Sequence, residues 1–437
     1  MTVRCGFFQF RCFGQAMRST IGKGFKRTAP DSNNVSPLQA ASTALASTVG
    51  TGNIVGTAQA ITMGGPGAVF WLWVTALFGM IIKYAEIFLA LKFRRKDKNG
   101  NYHGGPMYYI EAMGKSFCPL AAAYAMFALL SAIGMGNLSQ VNSGVSAISL
   151  AINKLAPMNP DQEILFKLAL GAFLAILVYI ILSGGAKRVG RAAELLVPLM
   201  SLGFLMISLI FLICRAHELP SAISKIILSA FDSKAFGGAA LGISVREAIH
   251  WGIRRSAFSN EAGLGSSAMA HAAAETKNYM EHSLWGIFEV FADTILICTA
   301  AALVILCSGV DIPWNTIPGP ELFQNALSTV FGHKLSSLFM AGSMLVFAFA
   351  TVLGWSLYGA QCAAYLFGNS SLPAYRIIYC LCTGLGSIMS TTFVWTIADF
   401  SNALMAIPNF IALFYFSGVI KRETANFFQT KTKKLDG

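Results

Sequence analysis

The sequence predicts an all-α membrane protein of ten transmembrane helices in two halves of five, with the first helix of each half interrupted in mid-membrane. Three observations predict it. Of the 437 residues, 55% are hydrophobic and only 12% charged, and the mean hydropathy is +0.59; soluble chains carry about twice that charge fraction. Apolar stretches of the roughly 20 residues needed to cross a hydrocarbon core of about 30 Å recur along the whole chain, and no gap between them could hold a soluble domain. Two of these stretches carry glycine and small polar residues in their middle, at 50–53 and at 259–263.

Apolar runs and their turn and charge punctuation place spans at 38–62, 66–92, 118–151, 164–183, 193–215, 236–273, 283–308, 336–367, 373–391 and 396–419. Basic residues orient them. With the N-terminus inside, the inner connections hold Lys92, Arg94, Arg95 and Lys96, then Lys187, Arg188 and Arg191, then Arg376, and the tail adds Lys421, Arg422, Lys431, Lys433 and Lys434. The outer connections at 152–163, 216–235 and 309–335 balance Lys154, Lys225, Lys234 and Lys334 with acidic residues. Ten spans with both termini inside is the self-consistent count. The chain then divides into a basic N-terminal segment (1–37, with Arg4, Arg11, Arg18, Lys23, Lys26 and Arg27), a first half (38–215), an external loop (216–235), a second half (236–420) and a basic tail (421–437). The even count and the matching interruptions suggest an inverted repeat. It rests on hydropathy and breaks, since the halves share no visible residue identity.

Span 1 reads A-S-T-V-G-T-G-N-I-V-G. Gly50 and Gly52 so close together favour unwinding, each interior glycine costing about 1 kcal/mol of helix relative to alanine. Unwound backbone at membrane depth is tolerated where it lines a cavity or is buried in protein. There, freed carbonyls can hold a cation and half-helix amides a carboxylate. Lys83 and Glu86 in span 2, and Glu289 and Asp293 in span 7, read as internal salt-bridge partners. Asn137, Gln140 and Asn142 in span 3 read as polar glue between helices, and Gly56, Gly134 and Gly144 as close-packing positions. Span 6 reads S-A-F-S-N-E-A-G-L-G-S-S, with Arg246, Glu247, His250, Arg254, Arg255 and Glu261 in or beside one membrane segment. Charges there are costly and are paired or functional; Arg246 and Glu247 read as surface pairs, and Glu261, inside the break, as a charge or hydrogen-bonding group. In span 8, Thr351 and Trp355 lie four apart, on one helix face.

Several function classes drop out. The net charge of +12 sits in loops and tails, so it reports topology and not nucleic acid. The nine cysteines lie mostly in apolar stretches without CxxC spacing and read as reduced packing residues. There is no HExxH and no GxSxG; His271 reads as structural, and G-K-S at 114–116 has Tyr109 where a phosphate loop needs glycine. An enzyme and an ATP-driven pump are excluded on these grounds. A channel lined by the broken helices, and carriers of other amino acids, remain open.

These residues resemble the alanine or glycine:cation symporter family over nearly the whole chain. The resemblance is carried by G-G-P-G-A-V-F-W-L-W-V-T-A-L-F-G (64–79), V-G-T-G-N-I-V-G (49–56), G-G-P-M-Y-Y-I (104–110), G-N-L-S-Q-V-N-S (136–143), G-G-A-K-R-V-G (184–190) and F-S-N-E-A-G-L-G-S (258–266). Leu72 stands where the family signature has methionine. The resemblance implies a LeuT-type fold in which a sodium gradient, rather than a proton gradient, drives uptake of alanine or glycine by alternating access. It implies no further cofactor, a bacterial inner-membrane location with both termini cytoplasmic, and a monomer or weak oligomer. Carried over by position, Gln59, Phe258, Ser259, Asn260, Glu261, Thr351 and Trp355 are the expected solute contacts, and Gly50, Asn53 and Thr351 the expected cation ligands. The family's extra apolar helix before Q-F-R is expected to be missing, because F-F-Q-F-R-C-F-G begins at Phe7; a misassigned start is the alternative.

Overall fold

The computed structural model describes residues 1–22, 35–97, 100, 102–232, 244–276 and 278–435. The start of predicted span 6, with Lys234 of the outer loop, lies outside these residues, as do Lys23, Lys26 and Arg27. The described chain is helical apart from one antiparallel hairpin, Arg95–Lys96 with Tyr102–His103. Predicted span 1 is two helices, α1 (Pro37–Thr48) and α2 (Gly52–Gly64), followed by α3 (Gly67–Lys92). Helix α4 runs through Cys118–Ile133, widens to a π-turn over Gly134–Leu138 and continues as Ser139–Leu155. Then come α5 (Pro160–Leu182) and α6 (Gly185–Cys214). The second half repeats the plan with α7 (Val245–Asn260), α8 (Ser266–Ala272), α9 (Tyr279–Cys307), α10 (Glu321–Phe367), α11 (Leu372–Gly386) and α12 (Thr391–Tyr415). A tail helix α13 follows (Ser417–Leu435).

Among the described residues seven helices are long and apolar enough to cross a membrane: α3, α4, α5, α6, α9, α10 and α12. The other three predicted spans are the two broken ones and the short α11. Boundaries moved where caps outrank hydropathy. Helix α12 begins at Thr391 rather than 396, because extended Ser390 accepts the Phe393 amide at 3.4 Å. The predicted outer loop at 309–335 contains the first turns of α10, divided from the rest at Gly332 (φ 74).

Both termini share one face. Arg4 bonds Ser417, Lys92 at the end of α3 pairs with Glu423 at 3.1 Å, and Tyr84 meets Thr424 at 3.2 Å. The N-terminal segment is not a free tail: Phe8 packs on Tyr84, and Gln9 donates to the Leu77 carbonyl at 3.3 Å. On the same face Val35, just before α1, pairs in parallel with Ala274, just after α8, and the Glu275 amide donates to the Val35 carbonyl at 3.0 Å. Arg94 holds that strap from the side through the carbonyls of Ala272 (3.2 Å) and Ala274 (2.6 Å).

The bundle interior is built on small residues. Helix α7 lies along α2 and α3, and α10 along α4. A Cβ on Gly252 would stand 2.5 Å from the Ala68 carbonyl, and one on Gly144 would stand 2.9 Å from the Ala348 methyl. Gly134 is equally close to Ile397, whereas Gly56 has ordinary room beside Arg255. Asn137 and Asn142 donate to the carbonyls of Tyr379 (2.7 Å) and Met389 (2.7 Å), as expected of polar glue. Outward, α6 exposes Leu195, Leu199, Leu202, Met206, Leu209 and Ile213, an apolar stripe suited to lipid chains.

A methyl group on Gly136 would overlap the Trp355 ring. Gly136→Ala is therefore expected to cost about 1–3 kcal/mol and to lower the thermal midpoint in detergent. Gly203→Ala, in open space on α6, should hold or raise it.

Candidate functional site

The first break begins where α1 ends at Thr48 and Val49 turns extended (φ −79, ψ 97). Its freed amides are met by side chains. Gly50 donates to Asn53 Oδ1 at 2.8 Å, and both the amide and the hydroxyl of Thr51 donate to Gln140 Oε1, at 3.1 and 2.8 Å. Gln140 is thus part of the break and not helix glue. The Thr351 hydroxyl approaches the carbonyls of Ala46 (3.0 Å) and Val49 (3.5 Å). A Cβ on Gly50 would stand 2.6 Å from that hydroxyl, so only glycine admits the approach. Gly50 and Thr351, expected among the cation ligands, lie side by side, and the carbonyls nearest the hydroxyl are those of Ala46, one turn before Gly50, and Val49, the residue before it.

The second break turns on Glu261, which ends α7 in the left-handed conformation (φ 58), with Gly263 (φ 98) and Gly265 (φ 73) following. A side chain in that conformation costs on the order of 1 kcal/mol, and such strain gathers at functional sites. Three neighbouring helices supply the missing partners. Lys83 Nζ of α3 donates to the Asn260 carbonyl at 2.7 Å, Tyr124 of α4 to the Leu264 carbonyl at 2.7 Å, and Asn409 of α12 to the Gly263 carbonyl at 2.8 Å. Glu86 Oε1 accepts the Gly263 amide at 2.9 Å and the Asn409 amide group at 2.6 Å, and Tyr109 caps Asn409 from the other side.

The two breaks meet at a carboxylate that sequence reasoning missed. Asn53 Nδ2 donates to Ser259 Oγ at 2.9 Å and to Asp293 Oδ1 at 2.6 Å, and Ser259 donates to Asp293 Oδ2 at 2.6 Å. Thr294 donates to the same carboxylate at 2.8 Å, and Cys298 Sγ lies 3.2 Å from Ser259 Oγ. All are buried. Of the four residues expected as internal salt-bridge partners, Lys83 and Glu289 do pair, across helices, Nζ to Oε2 3.4 Å, while Glu86 and Asp293 take hydrogen-bond donors instead. The signal in the sequence was the presence of a carboxylate in an apolar span; its partners were not visible.

The remaining expected contacts divide. Glu261 receives Trp355 Nε1 at 2.9 Å on one oxygen and the Ser266 hydroxyl on the other, so it ties α7, α8 and α10 together. Phe258 covers Gly52 and stacks on Trp395 at 4.8 Å between centroids. The Asn260 side chain turns toward α9, donating to Ser256 (3.1 Å) and Thr294 (3.0 Å). Gln59 is buried farther along α2, its Nε2 without a hydrogen-bond partner.

On the side away from the termini, Arg254 and Arg255 of α7 both bond Asp399 of α12, at 2.6 and 2.5 Å, above the Phe258–Trp395 stack. Toward the termini, a cavity of about 480 Å³ opens between α1, α8 and α10, lined by Thr43, Ala270, Ser356, Ala360 and Gln361 and reaching Lys187 at its mouth.

Trp355→Phe removes the indole donor and Glu261→Gln the charge it serves. The double-mutant cycle should return a coupling of about 0.5–3 kcal/mol in thermal stability; additivity of the two would show that the contact does not tie the break to α10.

The sodium:alanine symporter family model matches residues 1–437. An uncharacterized transporter of Haemophilus influenzae is 40% identical over 98% of this chain and 91% of its own length. The sodium/alanine symporter AgcS of Methanococcus maripaludis is 38% identical over the same shares of both chains. Among solved structures, MhsT in complex with L-phenylalanine superposes with a TM-score of 0.62 at 15% identity, covering 88% of this chain and 90% of the other. That likeness establishes the LeuT-type fold.

Proposed function

The chain belongs to the sodium:alanine symporter family, and within it we propose a symporter that couples sodium to the movement of a small neutral amino acid such as alanine or glycine by alternating access. The observation that carries the reading is the meeting of both broken helices at Asn53, Ser259 and Asp293. A buried carboxylate whose partners are neutral donors, the Asn53 amide and the Ser259 and Thr294 hydroxyls, keeps its charge in a low dielectric and favours a cation beside it. Sodium is a hard cation that takes oxygen ligands, as calcium does. We assign it to two places: beside Asp293 with the Ser259 hydroxyl oxygen, where Asn53 lies with its Oδ1 turned to the Gly50 amide, and beside Thr351 with the carbonyls of Ala46 and Val49. Gly50 keeps the second place open.

The amino acid fits between the breaks. Its carboxylate faces the amides that start α2, and its ammonium faces the backbone carbonyls around 258–261. Gln59 reads it through a free amide nitrogen, and Phe258, Thr351 and Trp355 bound its side chain. Asn260 and Glu261 act mainly by shaping the second break, since their side chains are engaged within the protein. The bulk of Phe258 and Trp355 suits a methyl group better than a ring.

Alternating access has support on both faces. The Arg254 and Arg255 pairs with Asp399 bridge α7 and α12 on one side, where a cavity of about 480 Å³ lies against Phe258 and Asp399, and the cavity beside Thr43 and Ala270 opens toward the other. The open face carries both termini with Lys92, Arg94, Lys187, Arg188 and Arg376, a basic excess that supports reading it as the cytoplasmic face of a bacterial inner membrane.

Proteoliposomes given a sodium jump test the reading across alanine, glycine, serine and proline, with lithium and proton gradients as controls. Saturable sodium-driven alanine or glycine uptake is expected. Unsaturable conductance would replace it with a channel. Asp293→Asn should raise the sodium concentration needed for half-maximal uptake by about tenfold or more, equivalent to 1.4 kcal/mol of cation binding. Gln59→Ala and Asn260→Ala should abolish uptake while the protein stays folded. Unaltered sodium dependence in Asp293→Asn would remove the first cation place.

A further inference from the structure

Beneath the second break runs a row of buried ionisable groups that the transport reading leaves unused. Lys83 Nζ lies 3.4 Å from Glu289 Oε2, and Glu289 Oε1 lies 2.6 Å from His271 Nε2. His271 Nδ1 lies 2.9 Å from His282 Nε2. The side chains of Glu289 and His271 are wholly buried, and His282 is nearly so. One end of the row touches the break, where Lys83 donates to the Asn260 carbonyl. The other reaches the face of the termini, since His282 follows exposed Asn278 and Tyr279 by one turn.

Pairing Lys83 with Glu289 would already satisfy a structural ion pair. Two imidazoles in series add nothing to that pair's charge balance and are expensive at this depth. What they add is a path. A neutral imidazole accepts at one nitrogen and donates at the other, so His282 Nε2–H can donate to His271 Nδ1 while His271 Nε2–H donates to Glu289 Oε1.

We propose that His282, His271 and Glu289 form a proton relay from the face of the termini to the second helix break, with Glu289 as the terminal acceptor. A proton from solvent hydronium binds His282 Nδ1. The Nε2 proton of His282 passes to His271 Nδ1, and the Nε2 proton of His271 passes to Glu289 Oε1. Net, one proton leaves solution, both rings remain neutral in the opposite tautomer, and Glu289 loses its charge. The ring flips or the reverse transfers reset the row.

The surroundings favour this end point. Glu289 is one of four buried carboxylates of this region, with Glu86, Glu261 and Asp293, and it is the one in an ion pair with Lys83, so neutralising it relieves like-charge repulsion. His271 faces His282 directly, so a proton on that ring has a neighbour to pass to, and Arg94, from the segment after α3, holds the Ala272 and Ala274 carbonyls beside His271. Once Glu289 is neutral, the Lys83 ammonium rests on the Asn260 carbonyl and on the carboxylates nearer the break. Proton uptake from the cytoplasmic face thereby tightens α3 against the break and slows its rearrangement.

The relay is read first without any solute. Purified full-length protein in liposomes is titrated over about pH 5–8, the range in which histidine relays work, by infrared difference spectroscopy of the protonated-carboxyl band. The wild type should gain that band on acidification, with the protonated-to-charged ratio changing about tenfold per pH unit. Glu289→Gln should lose it, and His282→Asn should delay its appearance in a pH-jump experiment. If the band persists in Glu289→Gln, or if His282→Asn responds as fast as wild type, the relay is overturned. Should Glu289→Gln fail to fold, the pH-jump rate of His282→Asn decides alone. A second arm rests on the transport reading: sodium-driven alanine uptake at fixed external pH should fall on internal acidification in wild type and be flat in Glu289→Gln. Absence of alanine uptake in every variant, with the infrared response intact, would remove the solute assignment and leave the relay standing.

Discussion

A backbone opened inside a membrane has no water to turn to, and the organisation of this bundle follows from that. Each peptide group left without a partner would cost about 1–3 kcal/mol or more. The two breaks release several, and Gln140, Lys83, Glu86, Tyr124 and Asn409 are placed to receive them. These residues explain why α3, α4 and α12 carry polar side chains at positions where lipid-spanning helices are otherwise uniformly apolar. They also make each break a property of the assembly, because no half-helix could stay unwound without the three helices around it. A conformational change that preserved these bonds would have to move the breaks together with their donors, as bodies.

Charge follows the same logic one level up. The carboxylates that satisfy amides and hydroxyls bring negative charge to a place that tolerates little of it. Asp293, Glu86 and Glu261 are each supplied with neutral donors, and among the described residues Lys83 is paired with Glu289. Hydrogen bonds ease the cost of burying a carboxylate without cancelling its field. A region wired in this way has a standing demand for small cations, which fits a family whose members move solutes on a sodium gradient.

Much of this was legible in the sequence and some was not, for definable reasons. Glycine pairs and small polar residues at 50–53 and 259–263 announced the breaks, since nothing else explains them in stretches that long and apolar. The Thr351 and Trp355 face was legible from helical spacing, and both residues do reach the breaks. Helix ends were misplaced by several residues at α12 because Ser390 caps by geometry that hydropathy ignores. The partners of Lys83, Glu86, Glu289 and Asp293 were out of reach. Position along one helix says nothing of partners on another, and at Gly286, where a Cβ would stand 2.7 Å from the Tyr84 amide nitrogen, α9 comes close enough to α3 for Glu289 to reach Lys83. Gln140 failed for the same reason: the residue type was noticed, and the target was set by packing.

The strap between Val35 and Ala274 has a kinematic meaning. It joins the entry of α1 to the exit of α8, the two half-helices that border the open cavity. With both fastened at their outer ends and hinged at their inner ends, they cannot swing independently. The pair behaves as a single lever with two fulcrums, one at each break. Under the proposed alternating access, one lever there would leave fewer half-open states to leak through, and the tightness of coupling would turn on how firmly one short bridge is held.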